Sequence, residues 1–425
     1  MKFVLASWGS RGDIEPCLAV GRELLRRGHH VRMAVPPDQV GFVEAAGPEA
    51  VAYGPDARTI LDAHRNFWTF FFRNFWKIQD LIRLRREVEE PVIRRWGEIS
   101  TTLTSLADGA DLLITGVNFE QPAANVAEYY DIPLATLHIS PLRANGQFVP
   151  ILPAPLGRSA MTVFEWVAWR MGKKLEDAQR YELGLPKATG PAPRRITERG
   201  SLEIQAYDEV CFPGLAAEWA KWDGRKPFNR PFVGALTMEL TTDADEEVAS
   251  WIAAGTPPIF FGFGSIPVES PAETITMIGA ACAQLGERAL VGAGWSDFSQ
   301  VPQFEHVKVV GAVNYAATFP ACRAVVHHGG VGTTAIGLRA GVPTLILSMD
   351  LEHTLWGARV KRLKVGTARR FSTTTEKSLV ADLRTILAPH YVTRAREIAS
   401  QMSKPGASVA AAADLVEDLA RRGPR

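Results

Sequence analysis

Apolar positions along this chain fall into short runs, each followed by a stretch with helical spacing, and the alternation runs almost from end to end. "KFVLAS", "HVRMAVP", "EAVAYG", "DLLITGV" and "IPLATLHI" form a first series of strand-like runs, with helical patterns such as Glu15–Gly28 and Glu120–Tyr130 between them. A second series, "PPIFFGFGS", "ALVGAG", "VKVVGAV", "AVVHHGG" and "VPTLILS", follows the Pro/Gly-rich zone "CFPGLAAEWAKWDGRKPFNRPFVG". Strands alternating with helices predict βαβ units and parallel sheets. The economical reading is an α/β protein of two Rossmann-like halves: residues 1–211, a linker over 212–236, and residues 237–425, whose last helix is a candidate to cross back. The facing strand ends of two such halves would form a cleft for ligands. Residues 150–205 are Pro-rich and then helical without strong periodicity, and they are assigned to the first half.

Composition narrows the class. At 425 residues the chain exceeds one ordinary core. Its 47 Lys and Arg against 46 Asp and Glu leave no basic excess, which argues against a nucleic-acid partner. The start "MKFVLAS" lacks the length and cleavage site of a signal peptide and reads as a buried strand. Cys17, Cys211, Cys282 and Cys322 form no CxxC pair and suit core positions in a reducing compartment. Arg73, Lys77 and Asp80 interrupt the aromatic run "NFWTFFFRNFW" (Asn66–Trp76), which is therefore no membrane span. A cytoplasmic protein is expected.

The most informative stretch is "AVVHHGGVGTTAIGLRAGVPTLIL". A strand, Ala324–His327, runs into His328, Gly329, Gly330, Val331, Gly332, Thr333 and Thr334, and a helix follows. Glycines let backbone amides approach an anion, and the first turn of a helix offers unpaired N–H groups to phosphate. His328 and the hydroxyls of Thr333 and Thr334 can donate to phosphoryl oxygens. The stretch lacks the Lys of a Walker A loop and the spacing of a dinucleotide fingerprint. Near the N-terminus, Gly9 and Gly12 of "SWGSRGDIEP" permit a tight loop between the first strand and a helix, with Pro16 tolerated in its first turn. Asp13 would face the cleft there or cap the helix, and the two roles are compatible. The DxD of Asp243 and Asp245 lies in "TTDADEEVASWI" and reads as a helix start rather than a metal site. No metal ligand set is expected.

"VVHHGGVGTTAIGLRAGVPTLIL" followed by "WGARV" resembles the donor signature of GT-B glycosyltransferases of family 1. "GSRGDIEPCLAVGRELLRRGHHVRMAVPPD", "FFGFGSIP" and "GAVNYAATFPACRAVVHHGG" extend the likeness to the bacterial natural-product and sterol branch. "PCLAVGRELLRRGH" and "RVKRLKVGTARRF" lean toward mycobacterial enzymes that decorate glycopeptidolipids with deoxysugars. The likeness covers nearly the whole chain apart from residues 55–110 and 150–205. It implies a GT-B fold, two Rossmann-like domains facing across a cleft, with the nucleotide diphosphate of a sugar donor on the C-terminal one. The matching donor positions are Ser265, Val313 (whose backbone would meet the base), His328, Gly330, Gly332 and Thr333. Ser10 and Arg11 would reach the phosphates from the opposite wall, and Asp13 would be the general base. Where the family carries an Asp-Gln pair for the sugar hydroxyls, this chain has Glu352 and His353. Glu352 still accepts from hydroxyls, whereas His353 is no amide and equally suits a cap on a helix Thr354–Leu363. This change leaves room for a 6-deoxyhexose. There is no Trp between Trp295 and Trp356 to stack on the base, so dTDP- and UDP-sugars both stand.

The resemblance therefore implies a metal-independent, inverting transfer from a nucleotide sugar to a hydroxyl of a lipophilic acceptor, such as a glycopeptidolipid. A UDP-glucose-dependent sterol or macrocycle glucosyltransferase is the nearest alternative. A sugar-nucleotide epimerase or a non-catalytic lipid-binding module comes from further afield. His138 in "LHISPL" ends a strand and is a candidate acceptor contact, with a structural role as its rival. On a helix, the run Asn66–Trp76 would place Trp68, Phe72, Phe75 and Ile82 on one broad face. Phe71 and Trp76 become candidate acceptor contacts; internal packing and a peripheral contact at the inner membrane face are the other two readings of that run.

Overall fold

The computed structural model describes residues 1–74, 76–148, 152–222, 229–264, 268–294 and 296–423, without the side chains of Leu61, Arg65, Phe72, Arg73 and Trp222. Ser265 and Phe75, named above, lie outside the described residues. Twelve strands are described: β1 Lys2–Ala6, β2 His30–Val35, β3 Glu49–Ala52, β4 Leu112–Gly116, β5 Leu134–His138, β6 Leu202–Gln205, β7 Ile259–Gly262, β8 Ala289–Gly292, β9 Val307–Val310, β10 Ala324–His327, β11 Thr344–Ser348 and β12 Gly366–Arg370. They form two parallel sheets, in the orders β3-β2-β1-β4-β5-β6 and β12-β11-β10-β7-β8-β9. Numbered within its own half, each sheet has the same 3-2-1-4-5-6 order, the arrangement of a doubly wound nucleotide-binding fold. The α/β, two-sheet expectation holds.

Most of the strands read as continuous apolar runs because helices cover both faces of each sheet. In the second sheet, Ile259 and Phe261 of β7, Ala289 and Val291 of β8 and Ala324 and Val326 of β10 belong to one core cluster. The residues between them, Phe260, Leu290 and Val325, belong to another on the opposite face. Strand side chains alternate with period two, so both clusters must be apolar at once. All four cysteines are buried and in no disulfide, and burial pushes the Cys17, Cys282 and Cys322 thiols up to about 12.

The chain divides into two compact units. One comprises Met1–His64, Ile78–Thr237 and Ser403–Arg425; the other comprises Arg65–Lys77 and Met238–Met402. Within the stretch read as a linker, Leu215–Trp222 is helical. The last helix, Pro405–Arg422, packs in the first unit against the helix Arg11–Arg26. Arg27 Nη1 lies 2.6 Å from Asp414, and His29 Nε2 lies 2.5 Å from Glu417. The chain leaves this unit after Thr237 and re-enters at Ser403, and one buried carboxylate holds both passages. Asp208 Oδ1 accepts from the Ser403 amide at 2.6 Å, and Oδ2 accepts from the Ala235 amide at 3.2 Å.

The aromatic run departs from expectation in one respect. Its helix, Ala57–Asn74, ends before a new helix starts at Ile78, so Ile82 cannot share a face with Trp68 on one helix. Phe67, Trp68 and Phe71 instead pack on one another, with ring centroids 5.1–6.2 Å apart. Among the described residues no helix is long and apolar enough to cross a membrane.

The Asp208 clamp gives a direct test. Asp208→Ala strips the acceptor from one buried and one part-buried backbone amide, so urea unfolding should show a loss of roughly 2–4 kcal/mol. A loss within error of zero would mean that water replaces the carboxylate.

Candidate active site

In a sheet of this order the two central strands send their connections to opposite faces, which opens a crevice at their carboxyl ends. In the N-terminal unit those strands are β1 and β4. The chain leaves β1 through Ser7, Trp8 and Gly9 and enters the helix Arg11–Arg26 at Ser10, its N-cap. Asp13 completes a reciprocal cap: its Oδ2 accepts from the Ser10 amide at 2.7 Å and from Ser10 Oγ at 2.9 Å. Gly9 has a φ of +137°, and a Cβ there would stand 2.4 Å from Asp13 Oδ2. Only glycine lets the loop fold over the carboxylate in this way. Ser10 and Asp13 thus sit together at the crevice, both half-buried. Arg11 is exposed, with Nε 3.3 Å from Glu15 and its guanidinium carbon 4.9 Å from the Phe42 ring centroid.

The opposite lip of this crevice follows β4. Asn118 Nδ2 donates to the Trp8 carbonyl at 2.8 Å and ties the two lips together. Phe119 has a φ of +66°, uncommon for a bulky side chain, and packs against Trp8 and Tyr53. No sequence signal marks this residue, because a left-handed phenylalanine is set by its neighbours rather than by its own preference.

His138 ends β5, as expected, yet its ring is 0% exposed. Nε2 lies 2.6 Å from Glu120 Oε1, and Nδ1 lies 3.3 Å from Gln205 Nε2. Arg143 Nη1 donates to Glu120 Oε2 at 3.0 Å and its Nε donates to Glu203, which also pairs with Arg230. The structure therefore corrects the acceptor reading of His138, which is enclosed in a network of ion pairs with no surface for a ligand. Burial alone would raise the Glu120 carboxyl, but Arg143 and His138 overcome it and bring it down to about 2.

In the C-terminal unit the central strands are β7 and β10. β10 ends at His327, and His328, Gly329 and Gly330 lead into the helix Val331–Ala340, capped by Gly330. The His328 ring is clasped by glycines: a Cβ on Gly264 would lie 2.4 Å from its Cε1, and one on Gly330 would lie 2.5 Å from its Nε2. Gly330, Gly332 and Thr333 are partly exposed at this helix start. Thr334 is not available to a phosphate, since it is fully buried and its hydroxyl donates to the Gly330 carbonyl at 2.8 Å. Val313 turns its side chain into the core beside Phe260.

His353 comes within reach of His328, their ring centroids 4.7 Å apart and nearly perpendicular. It does not cap the following helix, which starts at Leu351 rather than Thr354. Asp350 is the cap, its carboxylate accepting from the His353 amide at 2.8 Å. Glu352 is half-buried on the first turn. Burial and the neighbouring His353 bring His328 down to about 3, so its imidazole is neutral near pH 7. His327 is also lowered, first by burial and then by the two other rings. Asp245, in the DxD, starts the helix Asp245–Ala253 and accepts from the Thr242 amide and hydroxyl and from the Asn314 amide. Phe71 is half-buried and Trp76 is 62% exposed, in the turn between two helices.

Residues 289–421 match the C-terminal domain of the erythromycin biosynthesis protein CIII-like family, and residues 3–97 match the glycosyltransferase family 28 N-terminal domain. An uncharacterized glycosyltransferase of Mycobacterium tuberculosis is 63% identical over 425 residues, covering 99% of this chain and all of its own. The chain belongs to the GT-B glycosyltransferases of family 1. The glycosyltransferase GtfE of Amycolatopsis orientalis is 28% identical over 98% of this chain and 97% of its own. Among solved structures, the calicheamicin glycosyltransferase CalG4 superposes with a TM-score of 0.70 at 19% identity over 99% of both chains. The glycosyltransferase VinC, in complex with dTDP, superposes with a TM-score of 0.66 at 18% identity over the whole of both. The two sheets of this glycosyltransferase are thus the halves of a GT-B fold.

The two buried clusters contribute to the acid stability of this enzyme in different pH ranges. His328 titrates at about 3 when folded and at 6.5 otherwise, so the unfolded chain takes up a proton that the folded one refuses. Stability from this ring is complete above pH 6.5 and falls as pH drops toward 3, by on the order of 4 kcal/mol. Glu120, lowered from 4.5 to about 2, contributes stability that is complete above pH 4.5 and is lost only below it. Between pH 6.5 and 4.5, hydrogen-exchange protection, taken relative to the intrinsic exchange rate at each pH, should therefore fall in the C-terminal sheet before the N-terminal one, and His328→Gln should flatten that dependence. An equal fall in protection in both sheets would contradict this order.

Proposed function

We propose that this glycosyltransferase moves a hexosyl group, with a 6-deoxyhexose preferred, from a dTDP- or UDP-sugar to a hydroxyl of a lipophilic acceptor such as a glycopeptidolipid. The observation that carries the reading is the pair of glycine-built niches at equivalent switch points, one holding Asp13 and the other His328. Asp13 takes the acceptor proton as the acceptor oxygen bonds to the anomeric carbon. The bond from that carbon to the diphosphate oxygen breaks, its electron pair leaves with the diphosphate, and the configuration inverts. A positioned carboxylate supplies roughly 10²–10⁴-fold to such a step.

The diphosphate is held by the first-turn amides of Val331–Ala340, the Thr333 hydroxyl and His328, with Ser10 and Arg11 as further donors. Amides and a helix N-terminus stabilise the departing charge without requiring a metal. A neutral His328 serves as a hydrogen-bond donor in the resting enzyme and gains a proton more readily once an anion lies beside it. Glu352 accepts from sugar hydroxyls, and His353 in place of an amide fits a sugar with fewer of them. The base-binding backbone is that of Val313, and Ser265 completes the phosphate contacts. Support for a thymidine nucleotide comes from the VinC complex with dTDP. Phe71 and Trp76 are the acceptor-side candidates that remain.

The reading is tested with dTDP- and UDP-sugars against a mycobacterial lipid extract, the products read by mass spectrometry. Asp13→Asn keeps an oxygen for the Ser10 cap but not a base, so turnover should fall about 10²–10⁴-fold with donor affinity retained. Full turnover in this variant would remove Asp13 as the base. His328→Ala should weaken dTDP binding by roughly tenfold, the value of one good hydrogen bond, and unchanged affinity would take it out of the site. Gly9→Ala should lower turnover as well, because the new methyl displaces the Asp13 carboxylate.

A further inference from the structure

The helix Ala154–Glu182 buries Gly157 and Met161 in its first half, but toward its end the buried residues are polar: Glu176, Gln179 and Arg180. Gln179 Oε1 accepts from Asn125 at 2.8 Å, Arg180 pairs with Glu128 at 2.8 Å, and Glu176 pairs with Arg195. Its outward residues are apolar. Phe164 is 73% exposed, Val163 60%, Leu156 59%, Met171 56%, Trp166 54% and Val167 42%. At 100° per residue these six fall within one broad stripe running along the helix. A helix of a globular protein normally presents the reverse arrangement, and an apolar stripe of this size marks a surface that meets something apolar.

The charges on that stripe decide what it meets. Arg170 and Lys174 are exposed on it, and from Leu156 to Lys174 the stripe carries no carboxylate, since Glu165 points to the other side. The Arg170 guanidinium lies 5.8 Å from the Trp166 ring centroid, a pairing suited to the boundary between headgroups and acyl chains. The neighbouring helix Ile78–Arg94 adds exposed Ile78 and Ile82 in the same unit, and its Arg85 reaches Met171 Sδ at 3.6 Å. A second copy of the chain fits poorly, because a two-fold contact along this helix would set Arg170 and Lys174 against their own counterparts, and the stripe itself carries no carboxylate to balance them.

We infer that this face docks on an anionic phospholipid bilayer: the apolar side chains of Ala154–Glu182 enter the acyl boundary and Arg170 and Lys174 lie at the phosphates. The surface is independent of the proposed donor and base residues. Its test uses neither donor nor acceptor, so it succeeds or fails separately from the transfer reading.

The full-length enzyme is sedimented with vesicles of equal parts phosphatidylglycerol and phosphatidylcholine, and with vesicles of phosphatidylcholine alone. Binding to the anionic vesicles is expected, weaker in high salt, with far less to the neutral ones. The double variant Phe164→Asp/Trp166→Asp should lose at least about tenfold in vesicle affinity. Arg170→Gln/Lys174→Gln should lose roughly tenfold to thirtyfold, at about fivefold per cation. All four side chains are on the surface, and circular dichroism of each variant confirms that the fold is kept. Failure of the wild type to bind anionic vesicles overturns the inference, and so does equal binding to neutral ones. A dimer in sedimentation velocity that Phe164→Asp/Trp166→Asp converts to monomer would also overturn it, in favour of a second copy.

Discussion

A parallel sheet whose two central strands turn to opposite faces leaves backbone amides and a gap at one end, and this constraint governs everything functional here. It recurs in each unit, at β1 and β4 and at β7 and β10. What fills each gap is decided locally by glycine. In the first, a left-handed glycine lets a loop close over Asp13; in the second, two glycines make room for an imidazole. The strands supply the position, and the absence of side chains supplies the space.

Ten of the strands were legible as apolar runs, eight of them because a strand buried on both faces must be apolar at successive positions, and few other elements need that; β3 and β9 are only partly buried. β6 and β12 were not legible, for different reasons. β6 reads Leu-Glu-Ile-Gln, and its Glu203 and Gln205 are buried by partners 60 and 67 residues away in sequence, Arg143 and His138. β12 ends in two arginines, which an edge strand tolerates, and Arg369 is held by Asp382. The same long reach explains His138: its exposure depended on Glu120, and nothing within a few residues hinted at that ion pair. Helix starts failed by a few residues where a carboxylate such as Asp350 caps from just outside the apolar pattern. The glycine-rich anion loop was readable because its chemistry is local, although the helical phase that turns Thr334 inward and leaves Thr333 outward emerges only with the backbone.

The stretch 150–205 shows a deeper limit of reading by pattern. Helical periodicity marks an element when its apolar side faces the core, and here most of the apolar side faces away. The core side is instead held by Glu176, Gln179 and Arg180, joined to Asn125, Glu128 and Arg195. Buried ion pairs of this kind add little net stability over apolar packing but penalise wrong alignments heavily, because a misplaced partner leaves a charge unmet. The helix is thus located by directional bonds, which frees its other side from any structural duty.

The return of Pro405–Arg422 to the first unit has a consequence for how the polypeptide is made. Asp208 is synthesised long before Ser403, and the first sheet lacks its closing helix until nearly the whole chain has left the ribosome. The segment Met238–Met402 is complete earlier, and domains generally fold as units once their residues are available. Synthesis from the N-terminus therefore does not imply folding from the N-terminus. The second sheet can be finished while the first still waits for its last helix, with the buried charges of Glu120 and Arg143 already in place to keep it in register.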